Sequence, residues 1–242
     1  MTDTDHQRQL QNALDRLDAA FAPLADLPIA VGGCTYCYPQ ADLDTLAGPP
    51  HAVSEDMVAS VSGEVSDHWD DFPGLYRRLL PRIARLLVGD RLLYDLVATR
   101  LLQADWRNWP QHESEALEAF LHAWWRSVLA THPCVGDITD ILEVLGATTG
   151  TLVPFLNAWA DTRTVAADKH LYDMLDWWLL EGTVAFLHLG HLDELHAAPE
   201  LMPWLLALPC ERLAPEHRED LDVMVKHVWS VTDNALRPDM RS

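Results

Sequence analysis

A chain of 242 residues with 49% apolar residues and ten tryptophans can bury a sizeable core, which excludes a disordered polypeptide. Seventeen basic against 37 acidic residues leave a net charge of −20. That balance repels nucleic acid and anionic lipid, whose phosphates bind mainly through Lys and Arg.

The first segment, MTDTDHQRQLQNALDRLD, is polar and acidic, without the basic and apolar regions of a secretory leader. No run approaches the ~18 uninterrupted apolar residues that a membrane helix needs. Four cysteines, Cys34, Cys37, Cys134 and Cys210, do not resemble a secreted disulfide framework. The expectation is a cytoplasmic protein with reduced thiols.

Apolar spacing predicts helices over about 5–22, 39–47 and 54–65. Between the first two lies GGCTYCYPQADLDTL, with Cys34 and Cys37 two residues apart behind a glycine pair and before a helix opened by Pro39. Three readings stand for this corner. The thiols can pack a tight turn; they can be two ligands of a zinc or iron site; or they can form a reactive pair activated by a helix start. A metal site needs further ligands, for which His51, His68 and His132 are the histidines to watch. A redox pair of thioredoxin type would stand in a βαβ pattern, and none surrounds it.

Charge is segregated along the chain. From Leu17 to Tyr76 there are ten acidic residues and no Lys or Arg. A basic run follows, Arg77, Arg78, Arg82, Arg85, Arg91, Arg100 and Arg107. Either the acidic quarter packs against the basic segment, or an acidic face recruits a partner protein with a basic surface.

In DDFPGLYRRLLPRIARLLVGD, Tyr76, Leu79, Leu80, Ile83, Leu86 and Leu87 line one face and the arginines the other. Pro81 predicts a kink or two short helices, and Gly89 an end. A helix over 91–104 follows. In ESEALEAFLHAWWRSVLATHP, Leu117, Phe120, Leu121, Trp124, Val128 and Leu129 form one helical stripe, with acidic residues at its start. Further helices are expected over 137–145, capped by Asp137 and closed by Gly146, then 150–160, 165–181, 198–207 and 215–235. LYDMLDWWLL is apolar nearly all round, which predicts a central helix. Strand signals are confined to LPIAV, 27–31, and TVAFLHL, 183–189.

The class is therefore all-α with about ten helices, either an irregular HEAT-like array or a single compact helical domain over 1–242. Two lobes dividing near 131–137 are an alternative.

HLGHLDELH brings His188, His191, Glu194 and His196 together, and DKHLYD brings Asp168, His170 and Asp173. Neither is a HExxH zinc motif nor a matched pair of Glu-x-x-His helices, so both read as scattered surface histidines. No GxSxG, Walker loop, GxGxxG or kinase signature occurs. The paired tryptophans are candidate binding residues: of Trp124 with Trp125 and Trp177 with Trp178, one member can leave the core stripe and line a seam, a pocket or an interaction surface.

The segment from Cys34 to about Pro133 resembles a family of bacterial helical proteins for which no activity is established. The resemblance rests on CTYCYPQADLDTLAGPP, DHWDDF, YRRLLPRIARLL and the Trp-bearing helix. It implies that the CxxC, Trp69, Asp70 and the Leu80-Pro81-Arg82 step belong to one structural unit, and it carries no function. With Asp71, Trp69 and Asp70 complete the candidate binding residues. The expected function is protein–protein binding without turnover, with no cofactor. The alternatives are a metal- or thiol-dependent enzyme or sensor at Cys34 and Cys37, and small-molecule binding in a Trp-lined pocket.

Overall fold

The structure, a computed structural model, describes residues 3–27, 29–180, 184 and 187–224. It is all-α. Ten helices have both ends described: α1 Asp3–Ala25, α2 Gln40–Ala47, α3 Glu55–Gly63, α4 Phe72–Val88, α5 Tyr94–Gln103, α6 Gln111–Ala130, α7 Ile138–Thr149, α8 Val153–Asp161, α9 Val165–Leu180 and α10 Ala198–Ala207. Another opens at 215 and continues through 224. The part of the expected 215–235 helix beyond 224 lies outside the described residues. No helix among the described residues is long and apolar enough to cross a membrane.

Local chemistry explains most boundaries. Ser54 caps α3 by accepting from the Met57 amide at 3.2 Å, Asp71 caps α4 through Gly74, and Asp137 caps α7 through Thr139 at 2.7 Å. Pro39 and Pro110 stand at the N-caps of α2 and α6. Helix α4 is one element through Pro81, not two. Gly146 does not end α7. It lies inside the helix, where a Cβ would stand 2.5 Å from a Leu152 methyl, and Gly150 at φ 77° supplies the left-handed cap instead.

Helix α6 occupies the centre, with α1 running along it and α7, α8 and α9 against its other sides. Its predicted stripe is buried throughout, and Trp125 and Ala116 join it. Helix α4 joins α1, α3 and α5. The α1–α6 pair is distant in sequence, unlike the contacts of a stack in which each hairpin meets only its neighbours. Helix α9 is not the all-round buried element its composition predicts. Leu171, Met174, Leu175 and Trp178 are buried, whereas Tyr172 and Trp177 face solvent.

Indole N–H groups fasten the helices to one another. Trp125 donates to the Phe155 carbonyl, Trp159 to Ala167 and Trp204 to Leu156, each at 2.9 Å. Trp125 and Trp159 meet edge to face at 5.3 Å. These residues bury large apolar surface while satisfying their polar atom.

The basic run does pack on the first quarter, but largely through backbone oxygens. Arg78, 5% exposed, donates to the carbonyls of Ala25, Leu27 and Gly48, and Arg82 donates to those of Pro50 and Val53. Arg78 thus leaves the solvent face expected for it and closes the C-terminal end of α1. Arg85 pairs with Asp18, and Arg77 grips buried Glu113 in a two-pronged bridge of 2.5 and 2.6 Å.

Strand structure is slight. HLGHLDELH is a hairpin and not a helix: β1 His188–Leu189 pairs antiparallel with β2 Leu195–His196, placing the His188 and His196 rings in a stack at 4.6 Å. Of the expected strand at 183–189, residues 183, 185 and 186 lie outside the described residues. No strand forms over the described part of 27–31; a single bridge joins Gly33 to Trp69.

Candidate dithiol site

The bridge between Gly33 and Trp69 builds the CxxC corner. The Cys34 amide donates to the His68 carbonyl at 2.8 Å, and the Asp70 amide donates to Gly32 at 3.0 Å. Glycine is needed at 33, since a Cβ there would stand 2.4 Å from the His68 oxygen. The chain then turns. The Cys34 carbonyl accepts from the amides of Cys37 at 3.2 Å and Tyr38 at 2.9 Å, and Pro39 delivers the chain to α2.

Tyr38 anchors the turn from below. It is buried, packs on Trp69 with ring centroids 4.4 Å apart, and its hydroxyl reaches Ser60 Oγ at 2.7 Å and Glu64 Oε2 at 3.2 Å. Burial, followed by the Glu64 charge, holds the Tyr38 phenol above its ordinary range. The turn is thereby tied to α3 at one end and to the segment before α4 at the other. Tyr36, between the cysteines, is 96% exposed.

The two thiols are inequivalent. The half-buried Cys34 thiol is held below its ordinary pKa, first by the nearby backbone amides of Cys37 and Tyr36 and then by the Cys37 side chain. The exposed Cys37 is shifted up, first because its thiol donates to Cys34, then through partial desolvation and the negative charges of Cys34 and Glu64. Of the two, Cys34 is therefore the more acidic and Cys37 the less acidic thiol.

No third metal donor joins the pair among the described residues. The one group there with three donor atoms within 4.8 Å of one another is His132, His170 and Asp173. His68 serves Cys34 through its carbonyl, and its ring lies 3.3 Å from Glu64. Cys134 is bonded to the Gly136 carbonyl at 3.3 Å and pushed up to about 11 by burial, while Cys210 is exposed on a separate turn.

The remaining candidate residues scatter. Trp69 is buried beneath the corner, Asp70 is exposed next to it, and Asp71 serves as the α4 cap. Trp124, Trp125 and Trp178 are buried in the core, and only Trp177, 61% exposed, faces solvent. These candidate tryptophans therefore do not converge on one pocket. Tyr38, Ser60 and Glu64, which hold the turn, carry no motif that a sequence reading could have used. Their one advance signal was the placement of α3 directly after the CxxC helix.

No protein-family model, no curated protein and no solved structure matches this chain.

Proposed function

We propose that the protein is a dithiol–disulfide exchange protein acting through Cys34 and Cys37 on a disulfide of a partner protein. One observation carries this reading: Cys34 and the exposed Cys37 are held on one turn, closed by the Cys37 amide on the Cys34 carbonyl at 3.2 Å, with the Cys34 thiol shifted down and the Cys37 thiol shifted up. The Cys34 thiolate attacks one sulfur of the partner's disulfide, that S–S bond breaks, and the other partner sulfur leaves as thiolate. Cys37 then loses its proton to the solvent and attacks Cys34 Sγ, forming the Cys34–Cys37 disulfide and releasing the second partner thiolate. Two electrons pass to the partner, whose thiolates take up protons from water.

The surface around the pair suits a protein partner. Exposed Tyr36, between the two cysteines in the chain, offers an aromatic contact beside the pair. The net charge of −20 favours a partner with a basic surface.

The decisive experiment is trapping. Cys37→Ser protein should accumulate a mixed disulfide through Cys34 with an added protein disulfide, whereas Cys34→Ser should not, as read by mass spectrometry. Failure of the wild-type pair to oxidise in any glutathione or dithiothreitol redox buffer would remove the proposal. Binding without turnover, the other reading of this surface, predicts a complex that survives Cys34→Ser.

A further inference from the structure

A second cluster, away from the dithiol, lies where the loop after α6 meets α9. His170 and Asp173 stand one turn apart on α9, and His132 precedes the loop's Pro133. A donor atom from each of the three lies within 4.8 Å of the other two. His132 Nε2 is 2.7 Å from Asp173 Oδ2, and the His132 and His170 rings meet edge to face at 4.7 Å.

The orientation of His170 is the informative detail. It is 2% exposed, and its Nε2 lies 2.8 Å from the Thr131 carbonyl and 3.1 Å from the Val128 carbonyl. Carbonyls only accept, so Nε2 carries the proton and the lone pair of the neutral ring is on Nδ1. A backbone carbonyl that fixes the tautomer in this way is the usual support of a metal-binding histidine.

We propose that His132, His170 and Asp173 form a binding site for one divalent transition-metal ion of the zinc class. Two imidazole nitrogens with one carboxylate oxygen suit such an ion, whereas magnesium and calcium take oxygen donors. Donors around a tetrahedral zinc stand roughly 3.3 Å apart. The ion would enter by parting the His132–Asp173 hydrogen bond and drawing in the third donor through side-chain rotation. Asp173 is exposed and His132 partly so, which leaves the remaining coordination positions open to water or a ligand. Asp137, Asp140 and Asp176 line the same recess as Asp173 and raise the local cation concentration.

The test uses the full chain without an affinity tag, carrying Cys34→Ser and Cys37→Ser, so that its outcome is independent of the dithiol. After chelator treatment, cobalt(II) is titrated and followed by its visible d–d bands, with calorimetry for zinc(II). The expected result is one equivalent bound, at least tenfold more weakly in His132→Ala and in Asp173→Asn. Both variants change exposed or partly exposed side chains, and circular dichroism should be unchanged. Absence of saturable binding, or equal affinity in both variants, would overturn the assignment. So would a sulfur-to-cobalt charge-transfer band, which would put the ion on a cysteine.

Discussion

The amide of Cys34 donates to the carbonyl of His68 at 2.8 Å, so the dithiol turn hangs on the segment that leads into α4. That contact requires the backbones to approach at Gly33, where any side chain would collide with the His68 oxygen. Gly33→Ala is expected to cost about 1–3 kcal/mol in urea unfolding, as overpacking does. It should also bring the alkylation rate of Cys34 toward that of an ordinary thiol. Unchanged stability together with unchanged reactivity would mean that the bridge does not hold the turn.

The two thiols should titrate in order, Cys34 first. Alkylation rates followed by peptide mass spectrometry against pH should rise for Cys34 below the ordinary thiol range and for Cys37 above it. The interaction between them lowers one and raises the other. Cys37→Ala should therefore move the Cys34 titration up, and Cys34→Ala should move that of Cys37 down. Coincident, ordinary profiles in the wild-type protein would contradict the inequivalence.

The tryptophan pairs should separate by burial. Trp125 is fully buried and bonded to Phe155, so Trp125→Ala is expected to cost about 3–5 kcal/mol. Trp125→Phe keeps most of the ring but orphans the Phe155 carbonyl, for about 1–3 kcal/mol. Trp177→Ala, at a site 61% exposed, should stay within about 0.5 kcal/mol. Chemical denaturation of the three variants checks the ordering.

The contribution of two partly buried carboxyl groups to stability should fall as pH rises above the ordinary carboxylate range. Asp140 is shifted up by burial and then by Asp137, Asp90 and Asp95; Glu143 is shifted up by burial and then by Asp95, Asp140 and Glu194, against the Gly190 amide, which lowers it. In both cases the folded state holds its proton to higher pH than the unfolded chain. The stabilising contribution of these two groups is thus full below the ordinary carboxylate range near 4 and declines as pH rises through the folded values. Glu143→Gln cannot ionise and keeps an acceptor for the Gly190 amide. It should flatten the melting profile and raise Tm at pH 7.5 by roughly 1–4 °C. A variant that melts lower at pH 7.5 with the slope unchanged would refute this.

Much of the helical layout was legible because it is encoded locally. The stripe Leu117, Phe120, Leu121, Trp124, Val128 and Leu129 repeats with the period of a helix, and that surface is apolar wherever the helix docks. Asp137 caps α7 through its own side chain and needs no tertiary help. Gly146 misleads for the opposite reason: its role is to admit Leu152 and Leu195, and neither neighbour can be known from the run ILEVLGATTG. HLGHLDELH likewise has helix-like spacing, yet Gly190, at φ 91°, and Asp193, at φ 56°, turn it into a hairpin.

Class, helix number, the CxxC and the acidic balance were thus determined by the sequence alone, since composition and short-range periodicity suffice for them. How exposed each thiol of the pair is, which tryptophan is exposed, and that His132 meets His170 and Asp173 were decided only by tertiary structure. Those relations depend on packing α6 against α9 and on laying residue 33 beside residue 69. Local propensity carries no information about such pairs, because each partner would fold its own segment in the same way without the other.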